Sequence, residues 1–226
     1  MRKACTAVVV AAGSATRMQG IDKVMAQIGG VPMLLRTALA LSESERIDGI
    51  VIVTRAALVP EVRALCASVP KLQAVVPGGE SRAASVLCGL DEVKTPLAAI
   101  HDGARPLVTR EIIDEAVEAA EVFGAAAPAV AVHDTIKVAK DGVVLSTPDR
   151  ATLFAVQTPQ VFDTEKIKEA IRDALERGLP LTDDCSAAEL AGMEVRLTRG
   201  SEENLKITVP SDLALADAVL KRREGL

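Results

Sequence analysis

Short apolar runs of strand length alternate with helical patterns along the first 132 residues, and this alternation constrains the fold more than any other feature. The runs are continuously apolar, as in residues 6–12 and 49–55, rather than apolar at every second position. Strands of this kind are typical of a parallel sheet that helices cover on both faces, with right-handed crossovers. The sequence therefore predicts an α/β fold with a mainly parallel sheet.

The pattern also gives approximate bounds for each element. Strands are predicted over 6–12, 49–55, 72–79, 96–102 and 125–132, and helices over 31–44, 58–69, 81–93 and 109–124. Ser81 and Thr109 are suitable N-cap residues, and Gly124 is a suitable residue to end the last of these helices.

Composition limits the partners that the chain can have. The net charge is −5 and aromatic residues make up 1% of the sequence. Such a chain has no general attraction to nucleic acids or anionic membranes, and it lacks the aromatic side chains on which unpaired bases stack. We therefore expect neither a nucleic-acid nor a membrane partner.

The cysteines and the N-terminus favour a cytoplasmic location. The four cysteines, Cys5, Cys66, Cys88 and Cys185, have neither metal-binding nor redox spacing, which is typical of proteins in a reducing compartment. Residues 1–15 resemble a signal peptide, but their apolar run is short and fits a first strand better. No stretch approaches the roughly 20 apolar residues of a membrane span.

Three polar loops, 13–23, 78–85 and 101–106, each follow a predicted strand. Since the carboxyl ends of parallel strands meet at one edge of a sheet, we expect these loops to form a single site. In the first loop, Gly13 lets backbone amides approach an anion, and Arg17 and Lys23 add positive charge, which suits a phosphate. A glycine turn with two solvated cations is the alternative, since neither common phosphate-binding glycine motif is present.

The other two loops carry weaker signals. Gly78 and Gly79 lead into a helix whose first amides are free to bind a ligand, although for this loop alone a simple strand–helix connection is the better explanation. Asp102 would bind Mg²⁺ or a ribose hydroxyl, or merely cap a turn, and Arg105 would bind a phosphate. His101 is more typical of a structural residue than of a general base.

The pattern changes after Val132. Asp141 and Gly142 indicate a hairpin turn within a two-stranded arm, and because a lone hairpin is marginally stable, we expect the arm to pack on a second copy of the chain. The remaining predicted elements are a helix over 163–177, a short helix from 182, strands over 193–200 and 204–209, and a last helix from 210. The alternation around Lys206 leaves open whether its side chain faces solvent or the site.

Taken in order, the motifs resemble those of one enzyme family. They are A-A-G-S-x-x-R-M, a nearby lysine, G-G-x-x-R-x-x-S-V, H-D-x-A-R-P, D-T-I-K, D-R, Q-T-P-Q, T-D-D and N-x-K-I-T. The set resembles the 2-C-methyl-D-erythritol 4-phosphate cytidylyltransferases of the non-mevalonate isoprenoid pathway over nearly the whole chain. The resemblance implies one Rossmann-like nucleotidyltransferase domain over 1–226, with an arm at about 133–152 that forms a homodimer.

The resemblance also implies roles for individual residues. The CTP triphosphate would lie on Ala11, Ala12, Gly13, Arg17 and Lys23; the cytidine on Gly79, Glu80 and Ser85; and the ribose and metal near Asp102 and Gly103. The methylerythritol phosphate would be held by Arg105, Thr135, Arg150, Thr158, Thr182 and Lys206, with Thr135 and Arg150 reaching the neighbouring subunit's site. Of these, Arg17, Lys23, Arg150 and Lys206 are the expected catalytic residues, and Asp102 is the expected metal ligand.

The implied reaction transfers CMP from CTP to methylerythritol phosphate and releases pyrophosphate, with Mg²⁺ or another divalent cation as cofactor. Two alternatives remain at this point: a cytidylyltransferase for ribitol 5-phosphate or another polyol phosphate, and a nucleotide-binding protein without activity. The chain departs from the family pattern at Asp22, where proline is common, and at Glu80, where aspartate is common.

Overall fold

A mixed, mostly parallel sheet forms the centre of the protein in the computed structural model, which describes residues 2–13 and 25–225. The strands are β1 Cys5–Ala11, β2 Gln27–Ile28, β3 Val31–Pro32, β4 Gly49–Thr54, β5 Leu72–Pro77, β6 Leu97–Asp102, β7 Ala125–Ala131, β8 Val138–Lys140, β9 Val143–Ser146, β10 Phe154–Val156, β11 Gln160–Asp163 and β12 Arg196–Arg199. The α-helices are α1 Met33–Glu43, α2 Val59–Leu65, α3 Arg82–Leu90, α4 Arg110–Phe123, α5 Thr164–Glu176, α6 Asp184–Leu190 and α7 Pro210–Glu224.

The sheet has the order β5, β4, β1, β6, β11, β7 and β12. Strands β5, β4, β1 and β6 are parallel, whereas β11 is antiparallel to both β6 and β7. Strand β10 continues along β7 on the same side as β11, and β12 pairs in parallel with β7 on the other side. The α/β class and the mainly parallel sheet predicted from the sequence are thus confirmed.

Both faces of the sheet are covered by aliphatic side chains, which explains why the strands are apolar without interruption. On β1, Ala7 and Val9 pack into the cluster beneath α1, α2 and α4, while Val8 packs into the cluster beneath α3, α5 and α6. Successive side chains of a strand point to opposite faces, so most positions of a doubly covered strand are apolar. Among the described residues, Phe162 is the one buried aromatic side chain in either cluster.

The predicted helix ends agree with the structure. The Ser81 hydroxyl accepts a hydrogen bond from the Ala84 N–H and caps α3. Gly124 ends α4 with a φ of 85°, a left-handed conformation that glycine adopts without strain. Thr109 lies at the N-cap position of α4, although its side chain makes no capping hydrogen bond.

The strand predicted over 204–209 is wrong. This segment is an extended loop that runs past the end of β6, held where the Ile207 N–H donates to the Ala104 carbonyl at 2.8 Å. The Ile207 side chain is buried, and that of Leu205 packs against the same small cluster near α7. The apolar–polar alternation therefore reflects one buried side of a loop and not pairing within a sheet.

The predicted arm is present as a β8–β9 hairpin. Asp141 and Gly142 form its turn with φ values of 51° and 79°, both left-handed, as the sequence Asp-Gly indicates. The larger apolar side chains of the β8–β9 hairpin are exposed, namely Val138, Val143, Val144 and Leu145. Among the helices of the described residues, none is long and apolar enough to cross a membrane.

Candidate active site

The three polar loops that follow strands meet at one cavity of about 570 Å³. The cavity lies at the carboxyl ends of β1, β5 and β6, where a parallel sheet places its ligands. Its lining consists of Val10, Ala11, Ala12, Gly13, Met33, Gly79, Glu80, Ser81, Arg82, Ser85, Asp102, Gly103, Ala104 and Lys206. A cavity of about 660 Å³ beside Phe123 and Met193 shares no residue with it. The prediction that the three loops meet at one place is confirmed for the described parts of those loops.

Glycines allow the loops around the cavity to approach closely. A Cβ atom on Gly78 would lie 2.5 Å from the Ala12 Cβ and 2.7 Å from the Ser85 Oγ. A Cβ on Gly103 would lie 3.0 Å from the Ala11 Cβ. A larger residue at Gly78 would push the first and second loops apart, so the shape of the cavity depends on the absence of a side chain there.

Asp102 is the acidic centre of the site. Its Oδ2 lies 2.8 Å from the Lys206 Nζ and 3.5 Å from the Arg105 Nε, and its Oδ1 lies 3.7 Å from an Arg82 Nη. Burial would raise the pKa of Asp102, but the charge and hydrogen bond of Lys206, with the two arginines, outweigh burial and lower it to about 2. Asp102 is therefore ionised at neutral pH. This geometry also answers the question about Lys206, whose side chain faces the site.

Arg105 is directed inward. Its side chain is 11% exposed, and its Nη1 donates to the Asn204 carbonyl at 2.6 Å. Burial lowers the pKa of its guanidinium, and the neighbouring Asp102 partly offsets that effect. Arg105 is not among the residues that line the cavity in the described part of the chain. The structure thus places it behind Asp102, and its predicted contact with a phosphate stays a prediction.

Thr158 and His101 form a buried chain of hydrogen bonds under the cavity. The Thr158 hydroxyl accepts from the Asp102 N–H at 3.1 Å and donates to the His101 Nδ1 at 2.9 Å. The His101 Nε2 then donates to the Arg105 carbonyl at 3.2 Å. Burial lowers the pKa of His101 to about 4, so the ring is neutral at pH 7 with both nitrogens engaged. His101 is structural, as its sequence context favoured.

The cavity also contains a residue to which sequence reasoning gave no role. Arg82, the first residue of α3, donates from both terminal nitrogens to Asp184, at 2.9 Å and 2.7 Å. Asp184 is 1% exposed on α6, and its N–H donates to the Gln160 Oε1. The arginine of G-G-x-x-R-x-x-S-V and the acids of T-D-D were the available signals, but only the fold shows that they pair.

The remaining predicted residues lie at varied distances from the cavity. Thr182 is exposed in the turn before α6, and Thr135 and Arg150 are exposed near the arm. The Arg150 Nη1 donates to the His133 carbonyl at 2.6 Å. None of these three lines the cavity as described. Arg17 and Lys23, together with the departure at Asp22, lie outside the described residues.

We predict that Thr158→Val will destabilise the protein by about 1–3 kcal/mol, because it leaves a buried Asp102 N–H without an acceptor. Thr158→Ser retains the hydroxyl and is the matched control. Urea unfolding, monitored by circular dichroism, would measure the free energy of unfolding of both variants. Equal stability of Thr158→Val and the wild type would contradict the hydrogen-bond chain described above.

Comparisons with known proteins agree on one family. The sequence profile of 2-C-methyl-D-erythritol 4-phosphate cytidylyltransferase matches residues 5–222. Proteins of that name from Desulforamulus reducens and Caldanaerobacter subterraneus subsp. tengcongensis are each 45% identical to this chain. The alignments cover 96% of this chain in both cases, and 96% and 99% of the relatives.

Solved structures give the same result. The crystal structure of 2-C-methyl-D-erythritol 4-phosphate cytidylyltransferase from Thermus thermophilus is 30% identical, with a TM-score of 0.79 over 95% of this chain and 98% of that one. That of 4-diphosphocytidyl-2C-methyl-D-erythritol synthase from Anaerococcus prevotii is 28% identical, with a TM-score of 0.87 over 97% and 96%. The chain belongs to the 2-C-methyl-D-erythritol 4-phosphate cytidylyltransferase family.

Proposed function

We propose that this protein transfers CMP from CTP to 2-C-methyl-D-erythritol 4-phosphate and releases pyrophosphate, as a step in the non-mevalonate pathway to isoprenoid precursors. Family membership over nearly the whole chain supports the reaction. The observation that carries it in the structure is the cavity itself, where backbone from three loops surrounds the Asp102–Lys206 pair. Such a site suits a nucleotide whose phosphates approach backbone amides and a lysine.

The acceptor phosphate attacks the α-phosphate of CTP directly. A phosphate monoester has a second pKa of about 6 and is mostly deprotonated at neutral pH, so the attacking oxygen needs no general base. This agrees with the state of His101, which is buried, neutral and hydrogen-bonded through both ring nitrogens. The protein's contribution is then to align the two substrates and to neutralise their charge.

Residues of three loops would share the binding of CTP. Ala11, Ala12 and Gly13 line the cavity where the triphosphate would lie, and Arg17 and Lys23, outside the described residues, would add charge to it. Gly79, Glu80 and Ser85 line the side assigned to the cytidine, and Asp102 and Gly103 the side assigned to the ribose. Lys206, which also lines the cavity, would neutralise charge on the phosphates of the two substrates where they meet.

Asp102 fits the binding of Mg²⁺ together with the nucleotide. No cluster of three potential ligands among His, Cys, Asp and Glu occurs in the described residues. Mg²⁺ is, however, commonly held by one carboxylate together with substrate phosphates and water, and the Asp102 carboxylate is ionised. When bound, the cation would neutralise charge on the phosphates during transfer.

The acceptor site would be completed by a second copy of the chain. Thr182 lies two residues before Asp184, the partner of Arg82, and would hold the acceptor together with Lys206. Arg105 and Thr158, which lie behind and beneath Asp102, would support the acceptor site through that residue. Thr135 and Arg150 stand near the arm and would act in the neighbouring subunit. The exposed apolar side chains of the arm support a homodimer, since the hairpin has little stability of its own. We also propose that the protein is located in the cytoplasm.

The reaction can be tested by pyrophosphate release from purified protein with CTP and Mg²⁺. We expect release with methylerythritol 4-phosphate and CTP, and little release when ATP, GTP or UTP replaces CTP. Ribitol 5-phosphate is the comparison acceptor. Release with ribitol 5-phosphate alone would keep the chemistry but replace the acceptor, and no release with either acceptor would contradict the proposal.

We predict that Lys206→Ala lowers kcat by about 10²–10³-fold, the loss typical of one well-placed charge in a transition state. Lys23→Ala should behave in the same way. The fold should remain intact in Lys206→Ala, because Arg82 and Arg105 still compensate Asp102. Lys221→Ala, on an exposed position of α7, is the control. Near-normal kcat in Lys206→Ala would remove this residue from the mechanism.

We predict that the protein is a dimer and that Leu145→Asp shifts it towards monomer. Leu145 is 64% exposed on β9, so a charge there should not disturb the subunit fold. Sedimentation velocity would measure the change, and activity should fall with the dimer fraction. Val122→Asp, at a 74% exposed position of α4, is the control. A monomeric wild-type protein with full activity would contradict the dimer and the roles of Thr135 and Arg150.

A further inference from the structure

Arg82 interacts with two carboxylates: that of Asp184, which is buried, and that of Asp102, which lines the cavity. Both of its terminal nitrogens bind the Asp184 carboxylate, in the two-pronged geometry that makes arginine–carboxylate pairs strong and directional. One of these nitrogens also lies 3.7 Å from the Asp102 Oδ1. Burial would lower the pKa of the Arg82 guanidinium, but the Asp184 and Asp102 charges outweigh burial and raise it. The guanidinium is therefore charged and oriented.

Asp184 has no access to the cavity. It is 1% exposed, does not line the cavity, and lies in the first turn of α6, behind Arg82. Gln160 fixes the position of Asp184, because the Gln160 Oε1 accepts hydrogen bonds from the Asp184 and Cys185 N–H groups at 3.0 Å each. Gln160 is itself buried on β11, next to the strand that carries Asp102. Asp184 therefore has a fixed position, and its two hydrogen bonds hold the Arg82 guanidinium.

The cations around Asp102 approach different oxygens of its carboxylate. Within residues 2–13 and 25–225, Lys206 and Arg105 lie near the Asp102 Oδ2, and Arg82 lies near its Oδ1. Without Arg82, the carboxylate could turn towards Lys206 and Arg105 alone. Arg82 is therefore placed to influence the direction in which Asp102 presents its free lone pairs to the cavity, and Asp184 is placed to orient Arg82.

We propose that Arg82 and the buried Asp184 are a positioning pair for the transfer reaction, in which Asp184 fixes the Arg82 guanidinium and Arg82 orients the Asp102 carboxylate towards the substrates. Asp184 thereby affects catalysis without touching substrate. The inference rests on the proposed function and adds to it a residue outside the cavity. Misplacement of a reacting group by about 1 Å can cost on the order of 10²-fold in rate, which sets the scale of the expected effect.

The test compares Arg82→Gln, Asp184→Asn and the double variant. We expect each single variant to lower kcat by about 10- to 100-fold while KM for CTP changes by about threefold or less, because ground-state contacts to the nucleotide remain. The double variant should be no more than about threefold slower than the slower single variant, since the pair acts as one unit. Neutralising both partners also avoids leaving a buried charge unpaired, so this variant keeps the test valid if Arg82→Gln fails to fold.

Arg172→Gln is the matched control, since Arg172 pairs with Asp91 at 3.0 Å on the exposed side of α3 and α5 and should leave kcat unchanged. Calorimetric titration of CTP into each variant, with and without Mg²⁺, provides a measurement independent of turnover. In the absence of metal, we expect CTP to bind every variant with an affinity within about threefold of that of the wild type. The increase in CTP affinity on addition of Mg²⁺ should be smaller in Arg82→Gln and Asp184→Asn than in the wild type.

Three results would overturn the proposal. Asp184→Asn with wild-type kcat, beside a slow Arg82→Gln, would mean that Arg82 binds substrate directly. Losses that multiply in the double variant would mean that the two residues act independently. A lowered melting temperature of Asp184→Asn with unchanged kcat would mean that Asp184 is only structural. Inactivity of the wild type with both substrates would instead overturn the proposed function, and this inference with it.

Discussion

The ionised Asp102 carboxylate at the end of β6 needs positive partners, and the parts of the chain around the cavity are arranged to supply them. Burying a charge without a partner costs much free energy, so a carboxylate at this position requires positively charged groups around it. Arg82 comes from α3, Arg105 from the loop after β6, and Lys206 from the loop before α7. Arg82 and Arg105 belong to the first half of the chain, and Lys206 belongs to the second. The carboxylate therefore connects the two halves of the chain at the site.

Much of the fold could be predicted from the sequence because its determinants are local. Continuous apolar runs identified the strands, and Ser81, Gly124 and Asp141–Gly142 identified caps and a turn. Residues 204–209 could not be assigned in this way, because a strand and a half-buried loop show the same alternation, and only a pairing partner distinguishes them. The predicted convergence of three loops needed no more than the direction of parallel strands.

The parts of the site that sequence reasoning missed depend on contacts between distant residues. Arg82 and Asp184 are separated by 102 positions, and nothing near either residue indicates the other. The Thr158 hydroxyl lies under Asp102 because β11 pairs with β6 in one particular register, with Gln160 opposite Ile100. A shift by one residue would turn the side chains of β11 to the opposite face of the sheet. Such roles follow from the register of the sheet and are not visible in a motif.

The distribution of charge explains how an acidic chain can bind two polyanions. The net charge of −5 would repel CTP and methylerythritol phosphate at a distance, but at physiological ionic strength this repulsion is screened beyond about 8 Å. Within that range the cavity presents Lys206 and Arg82, and the acids nearest to them are already paired. Arg82 is held by the buried Asp184, whereas Lys206 shares Asp102 with Arg82 and Arg105, and the Lys206 side chain is more exposed than that of Arg82. The local arrangement, and not the net charge, then determines which anions are held.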